Sequence, residues 1–103
     1  MQHYGKDFAS SGHLYLTRIP GARDEQRREI ITKLAERGVN TNVHYKPLPM
    51  MTAYKNMGWD IKNFPNAYAY YENLITLPLH TKLSDEDVEY VIEQYSKIVK
   101  EYI

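Results

Sequence analysis

Along residues 13–19, HLYLTRI, side chains alternate, with Leu14, Leu16 and Arg18 on one side and His13, Tyr15, Thr17 and Ile19 on the other. A period of two predicts a strand, and Pro20-Gly21 ends it. The period then lengthens. In EQRREIITKLAERG, Ile30, Ile31, Leu34 and Ala35 share one helical face, Asp24 reads as the N-cap, and Gly38 supplies the left-handed stop. Residues 39–43 predict a second short strand, and 52–57 a helical turn before Gly58. NFPNAYAYYENL predicts a helix with Pro65 tolerated in its first turn and with Ala67, Tyr70, Tyr71 and Leu74 on one face. LITLPLH is apolar and extended, but Pro78 has no N–H to give a ladder, so it ends a strand or lies at an edge.

The last segment carries the clearest pattern. Ser84 caps DEDVEYVIEQYSKIVKEYI, with Val88, Val91, Ile92, Tyr95, Val99 and Tyr102 as its apolar stripe. Asp85, Glu86, Asp87 and Glu89 crowd its N-terminal end, where the helix dipole favours negative charge. Residues 1–12 are polar, without a period, and read as a tail or a severed connection between domains; residues 13–103 form one domain. The order strand, helix, strand, helix, strand, helix predicts an α/β (α+β) layer with helices packed against a short sheet.

Composition narrows the function classes. The 103 residues suffice for one domain, and thirteen basic residues balance thirteen acidic ones. A nucleic-acid surface would be basic, so nucleic acid is not an expected partner. There is no cysteine, which excludes thiolate sites and disulfides. No apolar run approaches the ~20 residues of a membrane span, so no membrane association is expected, and a cytoplasmic protein is the default. Ten tyrosines against two phenylalanines suit half-buried surfaces, because tyrosine joins an apolar body to a polar tip.

Catalytic and metal chemistry find little support. None of His3, His13, His44 and His80 lies three or four residues from another, and the acidic cluster lacks the glycine and spacing of a calcium loop. There is no glycine-flanked serine elbow or phosphate-binding glycine loop, and no lysine sits within an apolar run. What stands out is GVNTNVHYKPLPMM. His44 and Tyr45 can hydrogen-bond a ligand, Lys46 can neutralise phosphate, and Pro47 and Pro49 stiffen the backbone behind them. Pattern alone leaves two arrangements open. The trio can face a ligand, or Val43 and Tyr45 can point inward while His44 and Lys46 face water.

GVNTNVHYKPLPM, together with AYKNMGWDIKNFPNAYAYYENLITLPLHTKLSDEDVEYVI and the upstream SSGHLYLTRI and RDEQRREIITKLAERGV, resembles the C-terminal part of the DegT/DnrJ/EryC1/StrS aminotransferases. The likeness covers residues 12–103. The resemblance implies the small C-terminal domain of a fold-type I aminotransferase, with a short, mainly antiparallel sheet. The intact enzyme would use pyridoxal phosphate to pass an amino group, from a donor such as glutamate, to a keto-sugar nucleotide in amino-sugar or polysaccharide biosynthesis. Nothing in the chain resembles the family segment around the cofactor lysine. The resemblance therefore puts the cofactor on a large domain, expects none on this chain alone, and makes the chain inactive by itself.

Its implied partners are that large domain, a homodimer mate and the nucleotide sugar. His44 and Tyr45 fall on the family's substrate-side His-Tyr pair, Lys46 follows toward the diphosphate, and His13 and Tyr15 lie on a strand near the same cleft. Many members carry a histidine after the proline segment where this chain has Met50 and Met51, a departure that bears on the sugar rather than the family. The competing expectation is a freestanding α/β interaction module with a tyrosine-rich surface and no catalysis.

Overall fold

A computed structural model describes residues 2–103. Strand β1 (Tyr15–Arg18) pairs antiparallel with β2 (Leu74–Leu77), Tyr15 opposite Leu77 and Arg18 opposite Leu74. Helices α1 (Asp24–Glu36) and α4 (Asp85–Val99) pack on each other beside this ribbon. Between α1 and β2 run a 3-10 turn at Leu48–Met50, helix α2 (Thr52–Asn56), a second 3-10 turn at Ile61–Asn63 and helix α3 (Pro65–Tyr71). The architecture is α+β, with a small antiparallel sheet and helices against it.

The core forms where these elements meet. Ile30 and Leu34 from α1, Ile75 from β2 and Ile98 from α4 are completely buried, with Ile19, Ala22, Val39 and Leu77 closing around them. All four residues of β2 are buried, and three of them, Leu74, Ile75 and Leu77, are apolar, with Thr76 the polar exception. Thr17 and Tyr95 resolve two polar problems together: Tyr95 donates its hydroxyl to Thr17 Oγ1 at 2.8 Å, and Thr17 donates to the Ile75 carbonyl at 2.8 Å. Burial pushes the Tyr95 phenol above its ordinary pKa. Arg27 is buried against the Tyr71 ring, its guanidinium 4.3 Å from the ring centroid, and donates to Asp24 and to the Tyr71 carbonyl.

Several local expectations change. Helix α1 is capped by Arg23, not Asp24; Asp24 is its first helical residue and turns its carboxylate to Arg27 and Arg28 instead of the backbone. No second strand forms over 39–43. Val39 N–H closes α1 on the Leu34 carbonyl, Gly38 takes φ 78°, and only Asn42 bridges β2, exchanging two backbone hydrogen bonds with Thr76. The segment is divided between ending a helix and entering the proline loop, which leaves one residue to pair. Helix α3 stops at Tyr71, so Leu74 belongs to β2, and Tyr70 faces outward beneath the Arg18 guanidinium at 4.0 Å. On α4, Val88 and Ile92 are exposed, and Ile98, outside the expected stripe, is its most buried residue.

The molecule is not rounded. Its radius of gyration is 15.3 Å, against about 13 Å for a compact domain of this length. Its accessible surface is 7528 Å², whereas a compact monomer of its mass exposes about 6,000 Å². The surplus is of the size of an inter-domain interface, roughly 600–1,500 Å².

Candidate functional site

Thr76 is the anchor of the site. It sits in β2, 5% exposed, and holds Asn42 through the paired backbone bonds, 2.7 and 3.1 Å long. That clamp fixes the chain two residues before His44. The Thr76 hydroxyl lies 3.0 Å from His44 Nδ1, so backbone and side chain of one buried strand residue both position the imidazole. The Asn42 side chain accepts from Val43 N–H at 2.7 Å and tightens the same turn. The His44–Tyr45 peptide bond is cis.

His44 and Thr76 line a concavity of about 290 Å³, together with His13, Leu14, Asn40 and Thr41. Thr41 Oγ1 is buried there without a hydrogen-bond partner among the described residues. The wall is thus neutral and rich in donors and acceptors: two imidazoles, two amides and two hydroxyls. Such a surface can orient a hydroxyl-rich ligand. Its lining offers neither a lysine amine for a Schiff base nor a carboxylate for a pyridinium nitrogen, so it does not fit pyridoxal phosphate.

The residues singled out in the sequence divide among four places. His13 and His44 come together in this cleft. Tyr15 lies beyond it, stacked on His3 with ring centroids 4.7 Å apart, and borders a neighbouring apolar groove with Leu79, Val88 and Ile92. Tyr45 meets the His44 ring edge-on at 4.6 Å but is 67% exposed, and Lys46 is exposed beside it. Pro47 and Pro49 border a separate apolar groove of about 550 Å³ with Tyr54, Met57, Trp59 and Phe64. Thr76 was not singled out. The only sequence signal for it is a hydroxyl residue inside the apolar run LITLPL, where a buried polar group must find a partner.

Comparison with known proteins gives this geometry a context. A spore coat polysaccharide biosynthesis protein, SpsC of Bacillus subtilis, is 38% identical over 91 residues, covering 85% of this chain and 23% of SpsC. A UDP-4-amino-4,6-dideoxy-N-acetyl-beta-L-altrosamine transaminase of Campylobacter jejuni is 29% identical over 96 residues, 92% of this chain and 25% of that enzyme. Among solved structures, Spr1654 of Streptococcus pneumoniae, a candidate sugar aminotransferase, superposes with a TM-score of 0.95 at 53% identity in both its PMP and its PLP form. The superposition covers 100% of this chain and 26% of Spr1654. The chain spans about a quarter of the length of these relatives. Residues 1–96 match the model of the DegT/DnrJ/EryC1/StrS aminotransferase family, and the chain belongs to that family.

Proposed function

We propose that this chain is the small C-terminal, substrate-side domain of a pyridoxal-phosphate aminotransferase that passes an amino group, from glutamate, to a keto-sugar nucleotide in amino-sugar or polysaccharide biosynthesis. The observation that carries the reading is the end-to-end superposition on Spr1654, a protein solved with the cofactor in its aldehyde and amine forms. The surplus surface supports it, since a domain parted from its neighbour exposes the face that met it.

In this reading His44 hydrogen-bonds the sugar, held in place by Thr76, and His13 closes the same cleft. Tyr45 and Lys46 reach outward from the loop toward the nucleotide, where the Lys46 ammonium meets the diphosphate as a point charge. Tyr15 borders the approach from the sheet. Pyridoxal phosphate, when bound, supplies the electron sink, and it is held by the large domain of the intact, homodimeric, cytoplasmic enzyme. This chain contributes binding and orientation and does not transaminate alone.

The test is His44→Ala combined with Tyr45→Phe in the intact enzyme. Loss of hydrogen bonds worth ~1 kcal/mol or more each raises KM for the sugar nucleotide about tenfold, with the cofactor absorbance unchanged. A KM and turnover within a few-fold of the parent reject the assignment.

A further inference from the structure

Thr76 does more than hold His44 in place. Its hydroxyl is buried, and His44 Nδ1 is its one side-chain hydrogen-bond partner among the described residues. A hydroxyl carries one proton, and a buried donor left without an acceptor is costly. If Nδ1 carried the ring proton, it would donate to Thr76 Oγ1, and the threonine proton would have no protein acceptor among the described residues. If Nδ1 is bare, it accepts the threonine O–H and both groups are satisfied. The ring proton then sits on Nε2, which has no protein partner among the described residues.

We infer that Thr76 is a positioning residue that fixes the neutral His44 ring as the Nε2–H tautomer, so that the imidazole offers the cleft a hydrogen-bond donor. The ligand group it selects is an acceptor oxygen, such as a sugar carbonyl, a ring oxygen or a hydroxyl lone pair. A group that can only donate is refused. Asn40 does not make this selection, because its amide carries both a donor and an acceptor and can turn to suit either, whereas the Asn42 amide oxygen is already engaged by Val43 N–H. The tautomer follows from the buried pair alone; the nature of the ligand rests on the function proposed above.

Long-range proton–nitrogen correlation spectra of the 103-residue chain, recorded above the imidazole titration, read the tautomer directly. The expected result is a pyridine-like Nδ1 and a protonated Nε2, in excess over the other tautomer by roughly tenfold or more. Thr76→Ser retains this pattern and Thr76→Val loses the excess. A dominant Nδ1–H form in the parent chain overturns the inference, whether or not the valine variant folds. So does an unchanged tautomer in a folded Thr76→Val. In the intact enzyme, Thr76→Val raises KM for the sugar nucleotide several-fold while kcat stays within about twofold, and Thr76→Ser restores KM. If the tautomer is as stated but KM does not move, the donor role toward substrate is rejected, while the tautomer assignment stands.

Discussion

At Ser84 a single hydroxyl decides where a helix begins. It accepts from Asp87 N–H at 3.1 Å, and the Asp87 carboxylate accepts from Ser84 N–H at 2.9 Å, so two otherwise orphaned donors are satisfied reciprocally. The hydrogen bonds from Ser84 hold the Asp87 pKa below its ordinary 3.8. A carboxylate whose folded pKa is depressed adds stability above its unfolded value and loses it as pH falls through the folded one. We expect Ser84→Ala to cost about 1 kcal/mol near neutrality and Asp87→Asn to flatten the loss of stability below pH 3.8. Urea midpoints measured across that range check both; an unchanged acid slope in Asp87→Asn contradicts the account. This residue-level feature was legible, because a serine followed by acids and an apolar period is a local pattern. The Thr76–His44 pair was not. Its partners stand 32 positions apart and meet only once Asn42 has bridged β2.

Elements were legible where one face is buried and opaque where two uses compete for one segment. Helix α1 follows its period, since the side with Ile30 and Leu34 lies on the core; in β1, Leu16, Thr17 and Arg18 are all half-buried. The 39–43 run alternates like a strand, but alternation cannot reveal that Val39 is claimed by the end of α1 and that residues 43–46 belong to a loop. Helix α4 shows the opposite lesson. Val88 and Ile92 fit its apolar stripe, yet they face an open groove with Tyr15 and Leu79, so the stripe serves two surfaces: the core near Ile98, and a face left uncovered here. Ile98→Ala should therefore cost about 3 kcal/mol, because it opens a cavity against Ile30, Leu34 and Ile75. Ile92→Ala should cost less than about 1 kcal/mol, because its side chain is already 56% exposed. Chemical unfolding of the two variants separates them; equal losses would mean that α4 packs differently.

Seen whole, the molecule couples a well-filled core to a long proline-bounded excursion, residues 44–71, whose short helices enclose an apolar groove. No helix among the described residues is long and apolar enough to cross a membrane. This chain of the aminotransferase family spans about a quarter of its relatives' length and exposes more surface than its mass requires. The family could be read from motif order in the sequence. The cleft needed the fold, because His13, the 40–44 segment with Asn40 and His44, and Thr76 come from three separate stretches of chain. The most direct measurement is the crystal structure of the intact enzyme, in its pyridoxamine form, with a sugar nucleotide bound. A sugar oxygen is expected within hydrogen-bond distance of His44 Nε2, with the diphosphate on the Lys46 side of the loop. A sugar bound elsewhere, with the His13–His44 cleft filled by protein side chains, would contradict it.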